Sequence, residues 1–479
     1  MTQHKLKHSV IITAITLLPT ISLAQVSDST NAKSPDFKPL THVDSAMPYT
    51  EPSGIYIPES SKEHTGNFGK YAHTNIKIRV PSGIAPNNIT NLNQLSYPAN
   101  ENNSALANMI GETPASLACI YGIGPVTQPV GYWPECAPVN NPAFNAVGGN
   151  RAIALVLAYD NPTAVADLNF FSKFFGLPAA NITVVKVTTA LGGNCSNVSY
   201  NAGWALESAV DTQWSHAMAP SAKLFLIEAC NNSTRQLMLA ERVAIKMLNT
   251  VGGGQVSNSW GGSEWATESV EWDWVFRANW VSGKPVSFFF SSGDSGLDPL
   301  YPSSSPWVVS AGGTTINRNA TTKNFVSESC WSGSGGGSSL YETYSSDLDN
   351  GGTGPWTNYQ YPLFGQDNRK TPDLSFDADP ASGAMVYWKG LWYVLGGTSL
   401  SAPALAGIVN NSNNRLGISP SVGGFFTAAE NNLLYSQLLT FKDYKKNFYD
   451  ITSGNNGTSA GTGWDYCTGV GSPRGKFGK

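Results

Sequence analysis

The chain has 479 residues and a formal net charge of −4 at pH 7, and 13% of its residues are charged, about half the usual share. It has no basic patch, which excludes nucleic acid as an expected partner. Its length allows one large domain or two ordinary ones.

Residues 1–24 have the pattern of a secretory signal peptide. Lys5 and Lys7 precede an apolar run from Val10 to Ile21, and Ser22-Leu23-Ala24 offers a small-residue cleavage site. The run is too short for a comfortable membrane span, and no later stretch is long enough for one. We therefore expect a secreted protein, extracellular or periplasmic, which has no membrane partner after signal removal and is a monomer. Loss of two lysines and no acids takes the net charge from −4 to −6.

The cysteines indicate disulfides. They are even in number, and all of them lie beyond residue 112 in a chain that we expect to be exported. They are Cys119, Cys136, Cys195, Cys230, Cys330 and Cys467. No Cys-x-x-Cys spacing supports zinc. Six cysteines allow fifteen pairings, among which the two local ones, Cys119 with Cys136 and Cys195 with Cys230, are favoured.

Residues 25–112 differ in composition from the rest of the chain. They are polar, rich in Pro, Asn and Ser, and contain one plausible strand at 75–80. This composition cannot specify a large core, so we interpret the segment as a propeptide or a loosely ordered N-terminal arm. The domain boundary is placed before Thr113, which can cap a short helix that has Pro114 at its first position and runs to Tyr121. Residues 113–479 form the main domain.

Strands and helices alternate through this domain. Strands are expected at 152–157, 182–187, 223–228, 255–259 and 286–291, with another near 307–310. Helices are expected at 164–175, 204–218, 235–249 and 268–281. Apolar strands separated by helices predict an α/β fold, with a doubly wound, mostly parallel sheet that has helices on both faces. Catalytic groups in such sheets collect at the carboxyl ends of the strands.

A sharp strand-to-helix turn is expected at Gly396-Gly397-Thr398-Ser399, after the strand at 392–395. It holds Ser399 at the start of a helix with its hydroxyl exposed, as a nucleophile requires. Taken alone, the same pattern is more often an N-cap serine in a tight turn.

Three carboxylates are candidates to act with this serine. Glu207 and Asp211 lie four residues apart on a predicted helix, at the edge of its apolar face, where burial and mutual repulsion raise a pKa. Such a pair is more often a solvated helix face. Asp294 lies in a Gly-Asp-Ser-Gly turn after an apolar strand, where a structural β-turn is an equally good interpretation.

Taken together, these motifs resemble those of the sedolisins, the serine-carboxyl peptidases of the subtilisin-like superfamily. The motifs are Gly-Gly-Thr-Ser-x-Ser-Ala-Pro around Ser399, Ser-Ser-Gly-Asp-Ser-Gly around Asp294, and Glu207-x-x-x-Asp211 followed by Ala219-Pro220. Further matches occur at Tyr301 to Pro306, Gly312 to Thr315, Pro372-Asp373 and Asp377 to Pro380. The resemblance covers most of residues 113–479.

The resemblance implies a subtilisin-like fold and a role for each residue. Ser399 would attack the peptide carbonyl, Glu207 would act as general base, and Asp211 would hold Glu207 in place. Asp294, as the protonated acid, would complete the oxyanion hole. Such a site should prefer acidic pH and act on proteins or peptides.

An ordinary Ser-His-Asp subtilase is the closest competing interpretation. His216 is the one histidine beyond residue 112. At 100° per residue it points about 140° away from Asp211 and about 180° away from Glu207 on the same helix. A surface or packing role therefore suits His216 better than catalysis.

The resemblance also implies a substrate strand and a metal site. Residues Ser257, Asn258, Ser259, Trp260 and Gly261 resemble the edge strand and loop to which an extended substrate adds as a further strand. One structural Ca²⁺ would be bound by the side chains of Asp450 and Asp465 and by the carbonyls of Ile451, Gly461 and Gly463. From composition alone, a Gly- and Asn-rich surface loop is equally consistent with this last segment.

Several alternatives stay open. The N-terminal arm is shorter than the folded propeptide of a sedolisin, so it is either an inhibitory segment cleaved near residue 112 or a different module. The sequence does not distinguish an endopeptidase from a tripeptidyl-peptidase. A catalytically inactive binding protein on a protease fold and a carbohydrate-binding or adhesion protein are the rival classes.

Overall fold

The computed structural model describes residues 54–64, 66–85, 88–97, 111–125, 136–277, 284–343, 359–364, 368–412, 429–438 and 441–476. The expected signal peptide lies outside these residues. Among them, no helix is both long enough and apolar enough to cross a membrane.

A mixed sheet of eight strands forms the centre of the fold. Its parallel strands are β4 (Ala152–Ala158), β5 (Asn181–Val187), β6 (Lys223–Ala229), β7 (Gly254–Asn258), β9 (Val286–Ser291), β11 (Val309–Arg318) and β15 (Leu374–Asp377). The spatial order is β5, β6, β4, β7, β9, β11, and β11 then pairs with both β15 and the antiparallel β12 (Phe325–Cys330). The prediction of a mostly parallel α/β sheet is confirmed.

Each helix predicted from the sequence is present, and the described part of the chain has three more that were not predicted, at 361–364, 429–438 and 441–447. They are α1 (Pro114–Ile120), α2 (Ala164–Phe175), α3 (Ala202–Met218), α4 (Thr234–Thr250), α5 (Glu268–Arg277), α6 (Tyr361–Phe364), α7 (Thr398–Asn411), α8 (Ala429–Leu438) and α9 (Phe441–Asn447). Thr113 caps α1 in a capping box, and Gly176, at φ 67°, ends α2. Helices α3 and α7 pack against each other, which brings the expected catalytic elements together.

Most short strands that depend on distant pairing were not predicted, although the strand expected at 392–395 is present. Strand β11 runs eight residues beyond the expected position, because β12 and β15 both pair with it. Strand β8 (Trp260–Ser263) pairs with β10 (Leu300–Tyr301), and β16 (Ala384–Trp388) forms a hairpin with β17 (Leu391–Gly396). Two further short pairs join β13 (Gly337–Ser338) with β14 (Lys370–Thr371), and β18 (Phe448–Tyr449) with β19 (Ser472–Pro473).

Part of the N-terminal arm forms strands on the main domain. The arm contributes β1 (Ile55–Tyr56), β2 (His73–Thr74) and β3 (Lys77–Arg79). Strand β2 pairs with β8, and β3 pairs with both β1 and β17. The expectation of a loosely ordered arm does not hold for these residues. Strands of the domain that follows supply hydrogen-bond partners for the arm's backbone, and the arm's apolar side chains are buried against that domain.

All three disulfides involve described residues. Cys119–Cys136 and Cys195–Cys230 are the two local pairs that the sequence favours, and Cys330–Cys467 is the third. The third closes a loop of 137 residues and ties β12 to the C-terminal loop. On the loop-entropy account, a crosslink across a loop of this length restricts the unfolded chain by roughly 5 kcal/mol.

Candidate active site

Ser399 lies at the turn between β17 and α7. Gly397 in this turn has φ 100°, a conformation that favours glycine, and a Cβ there would clash with the Asn75 carbonyl oxygen and with Asp294 Oδ2. Because α7 begins at Thr398, the backbone N–H of Ser399 belongs to the first turn and needs no partner within the helix. The turn therefore presents two groups of Ser399, the hydroxyl and the N–H, to the same region.

The hydroxyl of Ser399 is hydrogen-bonded to a buried carboxyl. Ser399 Oγ donates to Glu207 Oε2 over 3.0 Å, and both residues are fully buried. Burial, and next the charge of Asp211, raises the pKa of Glu207 well above its ordinary value, while the hydrogen bond from Ser399 lowers it. An ionised carboxyl in such a place is a stronger base than an exposed glutamate, so Glu207 is placed to take the Ser399 proton.

Asp211 lies one helical turn from Glu207, but its hydrogen bond comes from a third residue, Ser259. Ser259 Oγ donates to Asp211 Oδ1 over 2.6 Å. Burial raises the pKa of Asp211 well above its ordinary value, and the bond from Ser259 lowers it. Among the described residues, Glu207 Oε1 and Asp211 Oδ2 have no hydrogen-bond partner. The two acids therefore interact by charge, and the pair is expected to keep one proton over a wide pH range.

The surroundings of α3 differ from the expectation. The sequence placed Glu207 and Asp211 at the edge of an apolar face, whereas the helix is buried on all sides from Gly203 to Met218. The reason is that α2, α7, β4 and β16 all pack against α3. Both acids are consequently desolvated more completely than one apolar face could arrange.

Asp294 contacts the turn that carries Ser399, at Gly397 and Thr398. Its Oδ1 accepts the Thr398 N–H over 2.7 Å, and its side chain is buried. Asp294 Oδ2 and the Asn75 carbonyl oxygen border the same small space at Gly397. A protonated Asp294 can thus donate into the region that the Ser399 N–H also faces.

The described part of the arm crosses this site. The backbone N–H of Ser399 donates to the Asn75 carbonyl oxygen over 3.1 Å. In turn the Asn75 N–H donates to Ser399 Oγ over 3.1 Å. Asn75 thus contacts the Ser399 side chain and backbone at once, although 324 residues separate the two in the chain.

The residues expected to bind substrate, 257–261, lie in three different environments: the central sheet, the carboxyl site beside Asp211, and the strand that pairs with the arm. Ser257 and Asn258 belong to β7, which lies between β4 and β9 and is a central strand rather than an edge strand. The Ser259 side chain binds Asp211. Only Trp260 and Gly261, in β8, pair with the arm, at Thr74 and His73 respectively. Extended chain therefore adds to β8, because the backbone leaves the central sheet after Asn258.

His216 does not join the site. Its ring Nε2 lies 2.9 Å from the Pro178 carbonyl oxygen, and the side chain is fully buried. Burial lowers the pKa of His216 below its ordinary value, which favours the neutral form of the ring. The packing role expected from helix geometry agrees with this position.

The C-terminal loop brings together the residues expected to bind calcium. Asp450 Oδ1 accepts the Gly463 N–H over 2.9 Å, and Asp465 Oδ2 accepts the Gly461 N–H over 3.0 Å. Tyr444 Oη lies 3.1 Å from Asp450 Oδ1 and 3.3 Å from the Gly463 carbonyl oxygen, so a carboxylate and a carbonyl converge there.

The donors of this loop fit a hard cation. The described residues contain no group of three or more His, Cys, Asp or Glu side chains that could hold a metal, so a cation here would need carbonyl oxygens beside its two carboxylates. Oxygen donors of these two kinds are those that Ca²⁺ takes in proteins. Ile451, whose carbonyl is also expected as a ligand, is buried next to Asp450.

Sequence reasoning missed three residues of the site. Asn75 is held by Ser399, Ser291 Oγ accepts a bond from the Asn75 side chain over 2.7 Å, and Thr398 binds Asp294. Ser291 and Thr398 belong to the motifs around Asp294 and Ser399, but those motifs do not reveal which residues the two side chains contact. Nothing in the composition of the arm separates Asn75 from its other asparagines.

The chain is similar to several peptidases. Over 383 residues it is 26% identical to xanthomonalisin of Xanthomonas sp. strain T-22, an alignment that covers 67% of this chain and 43% of that protein. Over 294 residues it is 32% identical to kumamolisin of Bacillus sp. strain MN-32, with 56% of this chain and 49% of that protein covered. The chain spans about half the length of the curated relatives that it matches. No protein-family model matches it.

The fold is also found in a solved structure. Pseudomonas sedolisin, a serine-carboxyl proteinase complexed with pseudo-iodotyrostatin, superposes with a TM-score of 0.55 at 24% sequence identity. The superposition covers 76% of this chain and 95% of that one. At this identity the likeness concerns the fold, which is therefore subtilisin-like.

Proposed function

Since the chain belongs to the sedolisin family of serine peptidases, we propose that it hydrolyses peptide bonds through Ser399. The observation that carries this proposal is the 3.0 Å hydrogen bond from Ser399 Oγ to the buried Glu207. A structural serine at a helix start needs no base, whereas a nucleophile does. The Ser399 N–H adds a donor for the oxygen of an attacked carbonyl.

The geometry supports the following steps. Ser399 Oγ attacks the carbonyl carbon while Glu207 takes its proton, and the oxygen that becomes negative is stabilised by the Ser399 N–H and by protonated Asp294. Glu207 then returns the proton to the leaving amine, the C–N bond breaks, and an acyl-enzyme remains. Water attacks the ester with Glu207 again as base, which releases the acid product and restores Ser399.

Acidic pH suits this arrangement. The Glu207 and Asp211 pair must lose one proton before Glu207 can act as a base, so activity rises as that proton leaves. Asp294 must keep its proton to donate to the oxyanion, so activity falls when Asp294 ionises. We expect a bell-shaped dependence of activity on pH with its maximum in acid. Each limb of this profile gives an apparent pKa that belongs to the coupled carboxyl groups rather than to one residue.

We propose that the enzyme is an endopeptidase. The arm runs through the site and continues beyond it on the acyl side: Ala72 N–H donates to the Asn232 carbonyl, and Thr234 N–H donates to the Lys70 carbonyl, each over 2.9 Å. A cleft that holds six residues from Lys70 to Asn75 does not end after three. This supports internal cleavage over the removal of tripeptides.

Two further parts of the proposal concern the setting of the enzyme. Its signal-like N-terminus supports secretion with removal of residues 1–24, and we propose that the secreted enzyme is a monomer. We also propose one structural Ca²⁺ at Asp450, Ile451, Gly461, Gly463 and Asp465. When bound, the ion would stabilise the C-terminal loop rather than take part in hydrolysis.

The test is hydrolysis of a denatured protein substrate from pH 2 to 8, with Ser399→Ala in parallel. Serine-dependent activity that peaks in acid supports the proposal. Activity confined to neutral pH would indicate another base. A folded protein with its arm released and no activity at any pH would support the inactive-protease interpretation instead.

A further inference from the structure

The arm lies in the cleft in the manner of a bound peptide. On one side of the Asn75–Ile76 bond, β2 is antiparallel to β8, with His73 opposite Gly261 and Thr74 opposite Trp260. On the other side, β3 is antiparallel to β17, with Lys77 opposite Gly396. Backbone pairing therefore holds the chain both before and after this one bond.

The carbonyl of this bond is the one that faces the reactive groups. The Asn75 oxygen accepts the Ser399 N–H over 3.1 Å and borders the space that Asp294 Oδ2 also borders. The Asn75 N–H lies 3.1 Å from Ser399 Oγ. Since nucleophile and oxyanion donors meet at Asn75, the neighbouring peptide bonds of the arm are out of register for attack.

The Asn75 side chain occupies a polar subsite. The residue is only 2% exposed, and its Nδ2 donates to Ser291 Oγ over 2.7 Å. Ser291 is the fully buried last residue of β9. A buried amide without a partner is unfavourable, so this hydroxyl makes the subsite suited to an amide side chain.

We propose that the site selects an asparaginyl residue on the acyl side of the cleaved bond, that Ser291 determines this selection, and that Asn75–Ile76 in the arm is the first such bond cleaved. This inference rests on the proposed peptidase function and names its substrate class. In the step, Ser399 Oγ bonds to the Asn75 carbonyl carbon and its proton passes through Glu207 to the Ile76 amine as the C–N bond breaks. One water then hydrolyses the ester and gives a carboxyl at Asn75.

The position of the cut differs from the cleavage near residue 112 that is expected if the whole arm is a propeptide. Strand β3 would remain paired with β17 after cleavage, because Ile76 and Ile78 are fully buried. The new N-terminus would therefore be Ile76, with the rest of the arm still attached to the domain.

The first experiment incubates the purified full chain in acid and follows it by intact mass and N-terminal sequencing. We expect a fragment that begins at Ile76 in the wild type and none in Ser399→Ala. Asn75→Leu, which keeps the size but loses the amide, is expected to slow this cut about tenfold or more. Asn93→Leu, the same change at an exposed position of the arm, is expected to leave it unaltered.

The second experiment measures kcat/KM for internal-bond peptides that differ only in Asn or Leu at the acyl-side residue. The wild type is expected to prefer Asn, and Ser291→Ala is expected to reduce the preference about tenfold. If Ser291→Ala does not fold, the preference of the wild type for Asn and the effect of Asn75→Leu on the cut decide whether the site selects asparagine.

The outcomes separate this inference from the proposed function. Hydrolysis of external peptides with the 75–76 bond intact, or with no preference for Asn, overturns the inference and leaves the peptidase standing. A cut at 75–76 that persists in Ser399→Ala assigns it to another protease and also overturns the inference. No hydrolysis of any substrate overturns both.

Discussion

Ser259 Oγ donates to Asp211 Oδ1 over 2.6 Å, across 48 residues of chain. This bond, rather than a direct bond between the two acids, fixes the Asp211 carboxyl beside Glu207. Because Ser259 follows directly after central strand β7 and Asp211 lies in α3, the pair connects the sheet to the helix that carries Glu207, the proposed general base. The state of Asp211 therefore depends on a residue that the sequence suggested for substrate binding.

Ser259→Ala should slow hydrolysis and move the acid limb of the pH profile to higher pH. The Ser259 hydrogen bond lowers the pKa of Asp211, so its loss leaves the pair protonated to a higher pH. We expect kcat to fall about tenfold, as for one charge-assisted hydrogen bond. The measurement is kcat against pH. Ser287→Ala, in β9, is the matched control, since this serine is also buried and its hydroxyl has no partner among the described residues.

Ser399→Ala should abolish hydrolysis without unfolding the protein. Loss of a nucleophile in a serine peptidase lowers kcat by about 10⁴-fold or more. Ser401→Ala serves as control, because Ser401 lies two residues along α7, is equally buried, and has an unpartnered hydroxyl among the described residues. Equal activity in the two variants would place the nucleophile elsewhere. Circular dichroism should show the same fold in both.

Glu207→Gln should reduce kcat about 10³-fold, because an amide cannot take the Ser399 proton. His216→Ala should keep most of the activity, since the His216 ring contacts the Pro178 carbonyl rather than Ser399. Thermal unfolding of both variants checks that any loss is not structural. The reverse result, with activity lost on His216→Ala and kept on Glu207→Gln, would favour the ordinary subtilase mechanism.

The protein should be more stable in acid than at neutral pH. Burial raises the pKa of Asp273 and of Asp298 to about 6, and that of Glu228 to about 7. Because these acids hold their protons more tightly when folded, their stabilising effect is complete below about pH 4 and is lost as the pH rises through 6 and 7. A rise from 3.8 to about 6 in Asp273 corresponds to about 3 kcal/mol.

The measurement is calorimetry of Ser399→Ala, which avoids self-digestion, between pH 4 and 7.5. The midpoint of unfolding should fall by several degrees over this range. A midpoint that stays constant or rises with pH would contradict the assignment of these buried acids as neutral.

Removal of calcium should lower the melting temperature. A ligand that binds only the folded state at 100 times its Kd adds about 2.7 kcal/mol of stability, which chelation removes. Asp465→Asn should eliminate the response to added Ca²⁺, whereas Asp443→Asn, at an exposed position of α9, should keep it. Titration calorimetry with Ca²⁺ gives the same comparison independently of melting. No heat of binding in the wild type would refute the proposed site.

The sequence by itself determined the elements whose information is local. The strand at 152–157 and the helix at 164–175 follow from the apolar pattern, and the structure has them as Ala152–Ala158 and Ala164–Phe175. Motif order along the chain also brought Ser399, Glu207 and Asp294 into one hypothesis before any contact was known.

Only the tertiary structure decided what those residues touch. That α3 is buried on every side, that Ser259 binds Asp211, and that Asn75 places its carbonyl against Ser399 are consequences of pairing between segments far apart in sequence. The arm has one alternating apolar segment, at 75–80, from which a strand is expected, but the strands that pair with β2 and β3, namely β8 and β17, come from distant parts of the chain. The local sequence pattern indicates which secondary structure a segment prefers. Its burial and its strand partners depend on which distant segments pack against it in the folded chain.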